Sequence, residues 1–460
     1  MIPNAVAGTG SAPGNKLKML SRRIDATDTP VIDFTRRVMS KRKDALSLAQ
    51  GVVHWAPPPT ALERLAARLA SEPASMSSYA PNEGLPALRA ALRHKLAVRN
   101  HLLHYDVIVT PGCNQAFLNA FLSLCDSEDR VVLFRPYYFD HLMAMQMTGS
   151  ADRVVLGECD PETMRPSLEW LRKVLGGPMP PKMVVIVNPC NPTGVLLTQV
   201  ELDAISSACA AAGAWLVLDN TYEDFVFVLG GEHYCPAGRH VIHLFSMSKA
   251  YGMMGWRIGY IAFPDYEHHN KDVEGEQADT PAGPIEDGTV ATNGGNGIAG
   301  QPAADAPRTA PGALGLAQLK VQDAVCICAS QPGQLLALEV LTEEGREYVE
   351  GHISKLAANR DLLRDALAPL EPHVVGGEGA IYLWARLPAG CGDDHAVVEW
   401  LVQQAGVCVI PGSACGMPGH IRCSYANLPP EKFPSAVARL RAGLEHLVAH
   451  GMTNMRQPVL

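Results

Sequence analysis

The chain has 460 residues, of which 47% are apolar and 18% charged, and its formal net charge is −9. That length fits two or three folding units with a large buried core. The acidic balance and the lack of a clustered basic patch argue against nucleic acid and anionic lipid as partners, and no apolar run is long enough to cross a bilayer.

The first fifteen residues are small and polar without an apolar core, so they do not read as a secretory leader; having no acidic residue, they leave an organellar transit peptide open. The twelve cysteines form no Cys-x-x-Cys pair. Neither a structural zinc site nor a disulfide framework is expected, and reduced thiols in a cytoplasmic protein are the simplest reading. Residues 47–51 make a short apolar run that needs a partner, which assigns the arm through about Thr60 to the C-terminal unit.

From about residue 105 to 263, short β-branched runs alternate with helical stretches. The runs cover 107–110, 131–134, 183–187, 215–218, 241–245 and 258–262. Residues 199–212 carry apolar side chains at helical spacing. Apolar strands separated by helices predict an α/β fold with a mainly parallel sheet covered on both faces and ligands at the carboxyl ends of its strands.

The motifs that carry chemistry mostly follow those strands. Thr110-Pro-Gly112-Cys113-Asn114 reads as a strand end, a tight turn and a helix start, whose free N–H groups suit an anion. Asn-Pro-Cys-Asn191-Pro-Thr-Gly194 is turn chemistry when taken alone. Asp219, at the end of a buried strand, reads equally as a cap and as a functional acid. The strand at 241–245 delivers Ser246, Ser248 and Lys249 into a Gly-rich turn. A lysine placed there is partly desolvated, which lowers its pKa and frees the amine to attack an aldehyde. Arg257 offers forked donors to a phosphate, and the two serines can add hydroxyls to it.

Residues 267–313 are rich in Gly, Pro, Ala, Asp and Thr and are expected to form a disordered surface insertion. Gly295-Asn-Gly-Ile-Ala-Gly300 within it matches a dinucleotide-binding fingerprint, but no strand precedes it and no helix follows, so the match is coincidental. His268-His269 reads as a solvated pair rather than a metal site. Beyond 331 come a long helical pattern through 370, a strand at 380–387, a helix at 395–405 and strands at 407–411 and around Arg422. The expected division is an N-terminal arm (1–60), a large unit (61–330) and a small α+β unit (331–460).

The order Ser246-x-Ser248-Lys249, then Gly255-x-Arg257, resembles the lysine signature of the fold type I pyridoxal-phosphate enzymes, the aspartate aminotransferase superfamily. The resemblance implies that Lys249 carries pyridoxal 5′-phosphate. It implies that Asp219 pairs with the cofactor's pyridine nitrogen, keeping the ring able to accept electrons. Tyr222 and Asn191 would touch the phenolic oxygen, and Tyr138 of Pro-Tyr-Tyr-Phe would stack on the ring. Gly112, Cys113, Asn114, Ser246, Ser248 and Arg257 would surround the phosphate, although Cys113 and Asn114 depart from the small or hydroxyl residues usual there. Asn191 would also meet the substrate, Arg422 would grip its α-carboxylate, and Gly51 would close over it through its backbone. Tyr79, in Tyr-Ala-Pro-Asn-Glu-Gly84, matches a tyrosine that reaches the neighbouring subunit's phosphate, which implies a homodimer with shared active sites.

Segments 18–23, 47–55, 145–149, 251–257 and 376–384 are similar to plant cytosolic aromatic aminotransferases. These use methionine as amino donor and return indole-3-pyruvate to tryptophan, which restrains auxin synthesis. The likeness covers about 16–452, apart from the insertion. Trp55, Tyr79 and Tyr137 lie on segments that such enzymes place around the substrate, so an apolar or aromatic side chain is expected. No second arginine for a distal carboxylate is identifiable, which disfavours dicarboxylates. The implied activity is ping-pong exchange of an amino group between an amino acid and a 2-oxo acid, with no metal. A lyase of the same fold (a carbon–sulfur lyase or an aminocyclopropane-carboxylate synthase type) and a non-catalytic regulator are the alternatives.

Overall fold

The computed structural model describes residues 20–265 and 312–455. The first nineteen residues and almost all of the expected 267–313 insertion, with both of its motifs, lie outside them. At the insertion's far edge the expectation needs correction, because Gly312 caps a helix that starts at once, Ala313–Cys326.

After a short strand β1 (Leu46–Ser47), seven strands build the main sheet: β2 (Tyr105–Thr110), β3 (Val131–Arg135), β4 (Val154–Glu158), β5 (Met183–Val187), β6 (Trp215–Asp219), β7 (Val241–Ser246) and β8 (Gly259–Pro264). Their spatial order is β2-β8-β7-β6-β5-β3-β4. Every neighbouring pair is parallel except the two made by β8, which runs antiparallel to β2 and β7. β5 shows why these residues form a covered sheet. Val184 and Ile186 face a core shared with Leu202, Ile205 and Cys209 of helix Gln199–Ala212. Met183 and Val185 face the opposite core, with Phe117 and Phe121 of helix Cys113–Leu124. Branched side chains fit both surfaces of the pleat, so the strand is apolar throughout rather than alternating. Helix Gln199–Ala212 is fixed at its start by a reciprocal cap between Thr198 and Glu201 and ends at Gly213 in the left-handed region.

The smaller part adds β9 (Val374–Gly376), β10 (Tyr382–Arg386), β11 (Val407–Cys408), β12 (Ile410–Pro411) and β13 (His420–Ser424). Four of them form an antiparallel sheet in the order β12-β13-β10-β9. β1 pairs in parallel with β11, Leu46 opposite Val407 and Ser47 opposite Cys408. The long helical pattern expected through 370 is three helices, Gln331–Val340, Glu343–Ile353 and Leu356–Ala366. Thr342 makes the first break by accepting the Gly345 N–H (3.2 Å) as an N-cap.

The small sheet docks on the turns that leave β5 and β6. Gly379 N–H donates to Gly194 O (2.9 Å) and Ala380 N–H to Phe225 O (3.0 Å). The approach is close enough that a Cβ on Gly194 would lie 2.2 Å from the Tyr382 carbonyl. No helix among the described residues is long and apolar enough to cross a membrane.

Candidate active site

A cavity of about 440 Å³ opens at the carboxyl ends of three parallel strands. Its wall takes Val187, Asp219 and Ser246 from the last residues of β5, β6 and β7, and Tyr382 and Arg422 from β10 and β13. The fold thus brings Gly51, Cys113, Asn114, Tyr138, Asn191, Asp219, Tyr222, Ser246, Ser248, Lys249, Arg257 and Arg422 to one space.

Lys249 leaves β7 on the Ser246-Met-Ser248 turn, and its Nζ donates to the Gly51 carbonyl (2.5 Å). Burial, then the positive charges of Arg257 and Arg422, bring its pKa down to about 8. Much of the amine is therefore neutral, hence nucleophilic and basic, at only mildly alkaline pH.

Asp219 is buried. Burial pushes its pKa up, but the hydrogen bond and charge of His141, followed by Thr221, outweigh this and hold it below the usual carboxylate range. His141 Nε2 lies 3.1 Å from Asp219 Oδ2, and the Thr221 N–H donates to Oδ1 (3.0 Å). The Cys113 thiol, pushed up first by burial and then by the Asp219 charge, stays protonated and lies 3.6 Å from Oδ1. A permanent anion therefore sits at the cavity floor.

Gly112 and Arg257 make the second feature. Gly112, at φ +86°, precedes helix Cys113–Leu124, whose first residues Cys113 and Asn114 line the cavity. Arg257, itself in the left-handed region, donates to Met254 O (3.0 Å) and Pro111 O (3.3 Å). A Cβ on Gly112 would come within 2.3 Å of Arg257 Nη2. Glycine thus lets a guanidinium lie directly on a helix start, a combination suited to a phosphate.

Arg422 is buried on β13. It donates to Asn191 Oδ1 (2.7 Å) and Ala49 O (2.9 Å), and its guanidinium lies 4.3 Å from the centre of the Tyr382 ring. Its Nε is buried without a partner among the described residues. The hydroxyls of Tyr382 and Tyr222 share a short hydrogen bond. On the opposite wall, the Tyr138 hydroxyl donates to Asp140 Oδ2 (2.6 Å), which also accepts from the Asn114 amide (2.9 Å).

Three expected residues stand apart in this chain, one of them Tyr137, which lines a separate small cavity with Phe134 and Met164. Tyr79 is 78% exposed and does not line the cavity. Trp55 is buried behind the lysine turn rather than on the cavity wall: its Nε1 donates to Ala250 O (3.0 Å) and its ring stacks on His352. Sequence reading missed His141, Thr221, Tyr382 and Asp140. His141 follows Tyr138 by three residues at a helix start, a spacing that puts both on one side and was the available signal.

Residues 43–440 match the family model for aminotransferase class I and II. The chain belongs to that family. An aromatic aminotransferase of Arabidopsis thaliana is 43% identical over 94% of this chain and 98% of its own length. An aspartate/prephenate aminotransferase of Thermus thermophilus is 28% identical, over 89% of this chain and 95% of its own. The structure of a Thermus thermophilus aspartate aminotransferase with maleate superposes with a TM-score of 0.74 at 26% identity, covering 94% of this chain and all of that one. This aminotransferase therefore has the fold type I architecture and is a transaminase. Members of its family use pyridoxal phosphate and act on amino acids and 2-oxo acids.

Proposed function

We propose that this aminotransferase exchanges amino groups between an aromatic amino acid or methionine and a 2-oxo acid such as phenylpyruvate or indole-3-pyruvate. It would do so as a cytoplasmic homodimer holding pyridoxal 5′-phosphate at Lys249. The observation that carries the substrate class is the 43% identity, nearly end to end, with the Arabidopsis aromatic enzyme. The cavity wall supports it: Ile32, Val52 and Phe139 line it, and its Lys and Arg side chains among the described residues are Lys249, Arg257 and Arg422. The methionine donor rests on the sequence likeness to the plant enzymes.

The donor set fits the cofactor. A neutralisable amine, a permanent anion and a guanidinium seated on a helix start by a side-chain-free Gly112 match its aldehyde, pyridine nitrogen and phosphate. When bound, pyridoxal phosphate supplies an electron sink for the electrons left when the substrate's Cα loses its proton. Lys249 would take that proton and return it as general base and then acid, a role its lowered pKa suits. Asp219, kept anionic by His141 and Thr221, would hold a proton on the pyridine nitrogen. Arg422 would grip the α-carboxylate with two parallel donors, steadied by Asn191, while Gly51 closes over the substrate. Tyr222 and Asn191 would face the phenolic oxygen, and Tyr138 the ring. Gly112, Cys113, Asn114, Ser246, Ser248 and Arg257 would receive the phosphate, joined by Tyr79 of the second subunit.

A panel assay tests this reading by pairing methionine, phenylalanine, tyrosine, tryptophan and aspartate with phenylpyruvate, indole-3-pyruvate and 2-oxoglutarate. Aromatic or methionine pairs should be fastest. Aspartate with 2-oxoglutarate outrunning all of them would overturn the substrate class, and release of ammonia or a thiol instead of transfer would point to a lyase.

A further inference from the structure

We propose that Asp140 sets side-chain selectivity in this site by barring substrates that carry a second carboxylate. The inference rests on the amino acid and 2-oxo acid substrates proposed above and concerns which of them the cavity accepts. Arg422 with Asn191 fixes where an α-carboxylate goes, and Lys249 fixes where Cα lies. The substrate's remaining substituent is left to face the rest of the wall, where Pro30, Ile32, Tyr138, Phe139 and Asp140 are found.

Asp140 is the acid on that part of the wall, and its two neighbours hold it there without cancelling its charge. Both the Tyr138 hydroxyl (2.6 Å) and the Asn114 amide (2.9 Å) donate to Oδ2. Both donors are neutral, so neither offsets the charge of the carboxylate. No Lys, Arg or His among the described residues pairs with Asp140, and Oδ1 has no protein donor among them. A second carboxylate entering this half-dry space would meet a like charge at reduced dielectric. A phenyl or thioether chain would meet Pro30, Ile32, Phe139 and Tyr138 and would bring no charge for Asp140 to repel. An indole N–H or phenol O–H would find an acceptor. Selectivity arises from a repulsive element set against the wrong substrate as well as from attraction to the right one.

The test uses holoenzyme with Asp140→Asn, which keeps size and removes charge, and Asp140→Glu, which keeps charge. Calorimetry measures binding of maleate, a dicarboxylate, and of 3-phenylpropionate, a monocarboxylate, alongside kcat/KM for 2-oxoglutarate and phenylpyruvate. Asp140→Asn should raise the maleate-to-phenylpropionate affinity ratio and the matching kcat/KM ratio by about tenfold or more, and Asp140→Glu should move both far less. Unchanged ratios in Asp140→Asn, or an equal rise in both variants, would overturn the proposal. The maleate arm needs no turnover. Wild-type enzyme inactive on every aromatic pair would remove the proposed substrates while the binding ratio still decided the role of Asp140.

Discussion

The surroundings of Lys249, the proposed cofactor lysine, define a pH signature. Burial and two guanidinium groups favour the neutral amine, so its pKa falls to about 8. In cofactor-free enzyme, the rate at which Lys249 captures an aldehyde should climb with pH and level off above about 8, whereas an exposed lysine keeps climbing to about 10.4. Stopped-flow absorbance of cofactor loading reads this directly. Arg257→Met removes one of the two charges and should shift the midpoint upward. Arg422→Lys keeps a charge but loses the forked geometry, so KM for the amino acid should rise about tenfold or more, as expected for losing one charge-assisted hydrogen bond. At this scale the sequence was most legible where a candidate residue ends a strand, as with Asp219 and Ser246, or follows one closely, as with Lys249, because strand ends can be seen in hydropathy. Contacts made across the fold were not legible. His141 meets Asp219, and Tyr382 meets Tyr222 and Arg422, only because distant segments converge.

At the scale of elements, the turn from β2 into helix Cys113–Leu124 carries a sharp prediction. Gly112 combines φ +86° with a position where a Cβ would lie 2.3 Å from Arg257 Nη2. Gly112→Ala adds both backbone strain and a clash. It should cost about 1–3 kcal/mol of stability by thermal melting and weaken cofactor binding more than substrate binding. Gly213→Ala, also at positive φ but with nothing within 4 Å, should cost stability alone. The six apolar runs read from sequence all became strands, since doubly buried strands are unmistakably apolar. β4 went unread because it lies at the sheet's edge with Val154, Val155 and Leu156 only partly covered, which dilutes the pattern. The helical pattern expected from 331 through 370 is helical, but its breaks went unread for another reason. Helical spacing continues across the breaks, and the capping role of Thr342 marks the first of them.

For the molecule as a whole, the exposure of Tyr79 and the shared-site reading lead to a complementation test. Lys249→Ala and Tyr79→Ala subunits should each be nearly inactive alone. Mixed by unfolding and refolding, they should recover about a quarter of wild-type activity, because half the dimers pair the two types and each such dimer contains one intact site. No recovery would mean that each subunit's site is self-sufficient. One feature of the architecture also bears on how the protein is made. β1 ends at Ser47, and its partner β11 begins at Val407. At ribosomal speeds of about 5–20 residues per second, roughly 20–70 s of translation separate the two strands. The main sheet can assemble in that interval, while the early segment with its apolar 46–49 stretch waits unpaired outside the ribosome. A nascent chain stalled before residue 407 should therefore hold a protease-sensitive N-terminal arm beside an already resistant β2–β8 sheet, and holdase chaperones should favour that arm over any other part of the growing polypeptide.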